Sequence, residues 1–142
     1  MAETVVKTVA DVMTTHPATV EADQPVAVAA SLMRDHDTGC LIVNQNGRMH
    51  GIITDRDITV RVVAADKCCQ TPVREACSPS VEAIGPDTTL DQAVRLMRSH
   101  AVRRLPVVED GRAVGIVSLG DLALERDPDS ALAGISAAAA NR

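Results

Sequence analysis

The sequence predicts an α/β fold of the α+β kind, made of one β-α-β-β-α motif used twice in tandem. Three observations carry this expectation. The chain repeats itself: Leu32-Met33-Arg34 and His36 recur as Leu96-Met97-Arg98 and His100, and at that offset of 64, residues 9–58 align without gaps on 73–122 with 14 of 50 pairs identical. Each copy also holds short apolar runs of strand length on either side of Asn46-Gly47 or Asp110-Gly111, dipeptides that favour tight hairpins. Finally, each copy closes on one pattern, Gly51-Ile52-Ile53-Thr54-Asp55-Arg56-Asp57 and Gly115-Ile116-Val117-Ser118-Leu119-Gly120-Asp121. A β-branched run ended by a hydroxyl residue, with an acid three positions on, marks a strand entering a helix.

The elements follow in order. Residues 9–13 and 73–77 read as short helical lead-ins, the second opened by Pro72. Brief extended pieces are expected at Thr19-Val20 and Ala83-Ile84. A helix then begins at Asp23 or Gln24, with Pro25 in its first turn, and at Asp87 or Thr88 in the second copy. Val26, Ala29, Ala30 and Met33 fall at i, i+3, i+4 and i+7, matched by Leu90, Ala93, Val94 and Met97, so one face is apolar and meets a core. The methionines read as packing residues, and His36 and His100 as helix-end residues rather than ligands. Leu41–Val43 pairs with His50–Ile53, and Leu105–Val108 with Val114–Val117. The last helix carries Ile58, Val62 and Ala65, or Leu122 and its neighbours. The expected organisation is motif 1 over 7–65, a linker over 66–72, motif 2 over 73–126 and a tail over 127–142. Its alanine-rich end is compatible with a frayed helix or with disorder.

Composition narrows the functions. The 142 residues are 46% apolar, carry a net charge of −5 and contain no long basic run, which weighs against non-specific nucleic-acid binding. There is no Phe, Trp or Tyr, so the aromatic platform for stacking bases of a single strand is absent. No apolar stretch of membrane-spanning length occurs and the start lacks a signal-peptide pattern, so a cytoplasmic location is expected. Cys40 sits in an apolar run and reads as a small buried hydrophobe. Cys68, Cys69 and Cys77 lack CxxC spacing; no metal is expected, and a thiol or zinc switch is a minor alternative.

The chemistry lies in the closing pattern. Residues three apart share a helix face, so Thr54 and Asp57, and Ser118 and Asp121, point the same way. Backbone N–H groups at a helix start attract an anion such as phosphate, and a carboxylate accepts hydrogen bonds from ribose hydroxyls. Half of a nucleotide site therefore occurs twice. The same residues also form a helix-capping box that serves stability alone.

Taken together, Asp11-Val12-Met13-Thr14, the two Leu-Met-Arg-x-His helix ends, Arg103-Arg104-Leu105-Pro106-Val107-Val108 and the two closing patterns resemble a stand-alone tandem pair of CBS (cystathionine β-synthase) domains, over residues 7–126. The resemblance implies a Bateman module, two CBS motifs related by a pseudo-twofold axis, commonly paired again into a disc-like homodimer. It implies an adenosine-containing ligand, AMP, ADP, ATP or S-adenosylmethionine, in the cleft between the motifs. Asp57 and Asp121 would hold the ribose; Thr54, Ser118, Arg56, Arg103 and Arg104 would serve phosphate. Thr19, Val20, Ala83, Ile84, Gly39 and Leu41 would line the base pocket. The family pattern departs at Ile42, where repeat 2 has Pro106, and at Leu119-Gly120, where repeat 1 has Asp55-Arg56. Such modules regulate rather than catalyse, and no nucleophile with a nearby base is evident here. The expected function is a sensor signalling to a separate, unidentified protein partner. The alternative is a ligand-free dimeric interaction module, such as those that serve stress responses.

Overall fold

The structure, a computed structural model, describes residues 6–78 and 82–138. Its elements are α1 (Val9–Val12), β1 (Thr14–Thr15), β2 (Thr19–Glu21), α2 (Val26–His36), β3 (Cys40–Gln45), β4 (Arg48–Thr54), α3 (Asp55–Ile58), a π-helical turn (Thr59–Val63), α4 (Val73–Ala76), α5 (Leu90–His100), β5 (Arg104–Glu109), β6 (Arg112–Ser118), α6 (Leu119–Arg126) and α7 (Ala131–Ala137). They form two compact units, each a three-stranded sheet backed by helices.

The first-repeat unit takes in 16–78 together with 110–113. Its strand order is β2-β3-β4, with β2 parallel to β3 and β3 antiparallel to β4. Leu41, Val43 and Ile53 on the sheet meet Val26, Ala29 and Met33 on α2 in one core. The β3–β4 turn places Asn46 at φ 55° and Gly47 at φ 76°, the left-handed pair that a two-residue hairpin needs and that Asn-Gly supplies at little cost. The second-repeat unit takes in 6–15, 82–109 and 114–138, with strand order β1-β6-β5. Leu105, Val107 and Val117 meet Leu90, Ala93 and Met97 there.

The units do not coincide with the sequence repeats at their lead-ins. Val73, Ala76 and Cys77 of α4 and the residue after it lie in the core of the first-repeat unit, whereas Val9 of α1 lies in the core of the second. The edge pairing repeats in both: β1 pairs with β6 through Thr14–Ile116, and Ser78 bridges Ile52. Each lead-in is only four residues long. A helix that short holds its shape only when its apolar side is buried, and its sequence does not say in which core.

The helix starts differ in detail from the sequence expectation. α2 starts at Val26 with Pro25 in the N-cap position, and α5 at Leu90 behind a Thr89–Gln92 capping box. Both helices end as expected at histidine, followed by a left-handed residue, Asp37 at φ 52° and Ala101 at φ 53°. The helix after β4 is regular only through Ile58. The run Thr59-Val60-Arg61-Val62-Val63 crowds four β-branched side chains into one stretch and widens into a π turn, closed by the Ala64 N–H on the Thr59 carbonyl at 2.8 Å. The alanine-rich end forms α7, capped by Ser130 Oγ accepting from the Ala133 N–H at 3.0 Å; residues 139–142 of the predicted tail lie outside the described residues.

The Ile42/Pro106 difference has a visible consequence. The Ile42 N–H donates to the Ala18 carbonyl at 3.0 Å and the Ala22 N–H to the Asn44 carbonyl at 2.9 Å, so β2 runs over three residues. Pro106 and Pro86 stand at the matching positions and have no N–H. The corresponding pairing shrinks to a single parallel bridge, Ile84 with Val107.

Candidate functional site

Each closing pattern folds as a strand feeding a helix start, with the hydroxyl residue at the N-cap. The Thr54 N–H donates to Asp57 Oδ2 at 2.9 Å, and Thr54 Oγ1 accepts from the Asp57 N–H at 3.1 Å. Ser118 and Asp121 repeat this at 2.8 and 3.1 Å. Both are complete capping boxes, so two of the free donors at each helix start are already satisfied. Each aspartate spends one carboxylate oxygen on the cap. Asp57 Oδ1 lies 3.9 Å from Arg61 Nε, and among the described residues neither it nor Asp121 Oδ1 accepts a hydrogen bond.

The topology gathers further predicted residues beside these starts. In the first-repeat unit, β4 ends at Thr54 opposite Cys40, and the Asp55 N–H donates to the Gly39 carbonyl at 3.0 Å. A side chain on Gly39 would meet the Asp55 carboxylate, with a Cβ only 2.9 Å from its Oδ2, so glycine there keeps the helix start accessible. Thr19 begins β2 at the same end of the sheet and is exposed. In the second-repeat unit the Leu119 N–H donates to the Arg103 carbonyl at 2.7 Å, which sets Arg103 beside the Ser118 start. Ala83 is exposed there. Arg56, Arg103 and Arg104 are exposed, with no side-chain partner among the described residues. Val20, Leu41 and Ile84 are core residues, 3%, 0% and 6% exposed, packed among the apolar side chains of their units.

Two features near the site escaped the sequence. Arg61 donates from Nη1 to the carbonyls of Ala76 (3.2 Å) and Cys77 (2.9 Å) while its Nε faces Asp57, tying α4 to the aspartate. Its 64-offset partner is Glu125, which instead pairs with Lys7. Gly120 stands where repeat 1 has Arg56; a Cβ there would collide with the Ser136 side chain, because α7 lies against the first turn of α6. An i,i+4 Asp-x-x-x-Arg spacing is a weak signal for the first, and only a small residue at 120 hinted at the second.

The thiols divide by environment. Cys40 and Cys77 are buried, and burial pushes the Cys77 thiol above its ordinary pKa, assisted by Asp57. Cys68 and Cys69 are exposed. Among the described residues no three His, Cys, Asp or Glu side chains converge as a metal site requires, and no helix is long and apolar enough to cross a membrane.

The CBS domain model matches residues 9–64 and again 73–126. The CBS domain-containing protein YhcV of Bacillus subtilis is 44% identical over 118 residues, spanning 83% of this chain and 84% of its own. Hypoxic response protein 1 of Mycobacterium tuberculosis is 34% identical over 118 residues, 82% of each chain. A crystal structure of Hypoxic Response Protein I with two coordinated zinc ions superposes with a TM-score of 0.76 at 32% identity, covering 84% of this chain and 98% of that one. This chain belongs to the CBS-domain family and carries a tandem pair of CBS domains.

Proposed function

We propose that this CBS-domain pair is a non-catalytic sensor that binds an adenosine-containing ligand, AMP, ADP, ATP or S-adenosylmethionine, at its two helix starts. The family membership makes it a regulatory, ligand-binding type of module. The observation that carries the finer reading is the division of labour within Asp57 and Asp121. One oxygen of each caps its helix and the other is left for a donor, as a ribose diol supplies. Thr54, Ser118 and the exposed guanidinium groups of Arg56, Arg103 and Arg104 would serve a phosphate or a carboxylate. Binding would favour whichever packing of the chain holds ligand more tightly, and a separate protein would sense that shift. We further propose a homodimer. Val60 and Val63, 49% and 69% exposed on the π turn, and Leu119 and Leu124, 42% and 38% exposed on α6, fit association with a second copy.

The test uses the missing aromatics. Without Trp or Tyr the protein absorbs little near 280 nm, so a retained adenine shows as a peak near 260 nm. Freshly purified protein should show that peak, or gain thermal stability with one of the four ligands, and mass spectrometry of the released compound would name it. A clean spectrum with no stabilisation by any of the four counts against the sensor.

The second reading draws on the same bonds. Both capping boxes are complete without a ligand, which suits a dimeric interaction module whose aspartates act as caps alone. It predicts that loss of either aspartate lowers stability and changes no ligand response.

A further inference from the structure

α2 and α5 are matched helices that solve the same problem differently. α5 satisfies its first N–H groups with the Thr89–Gln92 capping box. Pro25 cannot cap α2, and that helix has no side-chain cap. Its first two donors are instead satisfied from the linker. The Val26 N–H donates to the Thr71 carbonyl at 2.8 Å and the Ala27 N–H to the Cys69 carbonyl at 3.0 Å. The linker holds that position as a turn: the Cys68 carbonyl accepts from the Thr71 N–H at 3.0 Å and from Thr71 Oγ1 at 2.6 Å. The residues forming this clamp carry two adjacent, exposed thiols. Gln70 addresses both, its N–H to Cys68 Sγ at 3.4 Å and its side-chain amide to Cys69 Sγ at 3.8 Å. Cys40 and Cys77 are buried, so oxidant reaches the pair at 68–69 first.

We propose that Cys68 and Cys69 form a redox modification site, closed to a vicinal disulfide by peroxide, that releases the clamp on α2. One thiolate attacks a peroxide oxygen, becomes a sulfenic acid and expels hydroxide, which leaves as water. The neighbouring thiolate then attacks the sulfenic sulfur, forms the S–S bond and expels a second hydroxide. Overall, two thiols and one hydrogen peroxide give one disulfide and two waters, with two electrons passing from sulfur to oxygen. Adjacent Cα atoms are about 3.8 Å apart, below the roughly 4.4–6.8 Å that disulfides ordinarily span. Ring closure therefore distorts the 68–69 peptide, whose own carbonyl, that of Cys68, holds Thr71, and with it the adjoining Cys69 carbonyl that holds Ala27. A strained, exposed disulfide is also readily reduced, so the change is reversible.

The experiment treats the reduced full chain with one equivalent of hydrogen peroxide, counts thiols and follows amide exchange. Two of the four thiols should disappear. The peptide holding residues 68–69 should lose about 2 Da, and exchange at the Ala27 amide should quicken on the order of tenfold, the size expected for one lost cap bond. Dithiothreitol should reverse all three. Cys69→Ser, conservative on an exposed turn, should keep native exchange and show none of these responses. Retention of all four thiols, gain of oxygen mass in place of the loss, or cross-linked chains would overturn the site. A disulfide formed with Ala27 exchange unchanged would overturn the clamp.

Discussion

The Thr54–Asp57 and Ser118–Asp121 helix starts share one set of bonds and differ in everything around it. The capping distances agree within 0.1 Å: 2.9 and 3.1 Å in the first, 2.8 and 3.1 Å in the second. Around Asp57 the sequence adds Asp55, Arg56 and Arg61 and leaves the start flanked by glycine at 39. Around Asp121 the same positions are Leu119, Gly120, Glu125 and Arg103, and α7 packs against the first turn. A cap depends on local backbone geometry and survives duplication. The charge and access that would make it a ligand site depend on neighbours and diverge. On the proposed ligand reading, the first repeat is therefore expected to carry the stronger half-site.

The largest effect checks that the two cores are equivalent. Leu41 and Leu105 are 0% and 1% exposed and correspond across the repeat. Leu41→Ala and Leu105→Ala should each cost about 3 kcal/mol in urea unfolding. A large inequality would break the equivalence on which the comparison rests. Next in size is the ligand asymmetry. Asn at 57 or 121 keeps an acceptor for the cap while removing the charge and the second carboxylate oxygen. Asp57→Asn should weaken binding of an adenine nucleotide about tenfold or more by calorimetry, a loss of about 1.4 kcal/mol, and Asp121→Asn by less. The reverse order would place the stronger half-site in repeat 2. Removing the caps should then reveal what the two starts share: Thr54→Ala and Ser118→Ala should each destabilise by about 1 kcal/mol. The smallest effect has the opposite sign. Ala101 holds a left-handed conformation that Asp37 holds at the matching helix end. Ala101→Gly should stabilise by roughly 0.5–1 kcal/mol, read as a rise in Tm.

The sequence disclosed those parts of the molecule whose causes are local. The hairpin turns follow from Asn-Gly and Asp-Gly, and the helix faces from the spacing of Val26, Ala29 and Met33 and their copies. The capping boxes follow from a hydroxyl and an acid three apart. What stayed hidden depends on contacts distant in sequence. Val9 and Val73 announce an apolar side, and nothing in four residues says that each serves the other repeat's core. The linker cap on α2 is made by backbone carbonyls, which leave no residue signature. Gly120 matters because Ser136 approaches it, and Val20, Leu41 and Ile84 turned inward because the sheet packs on that face. The π turn sits between these cases: its β-branched run is legible, its preference over a regular helix is not.

Thermal unfolding of the wild-type chain and of the Asp57→Asn/Asp121→Asn double variant, each with and without AMP, ADP, ATP and S-adenosylmethionine, tests the sensor most directly. The double variant should unfold near the wild-type temperature without ligand, because the caps persist. One of the four ligands, at about one hundred times its Kd, should raise the wild-type Tm on the order of 5–10 °C and leave the variant nearly unmoved. Equal stabilisation of both proteins would contradict the assignment of Asp57 and Asp121 to the ligand, and stabilisation of neither would leave them as caps in an interaction module.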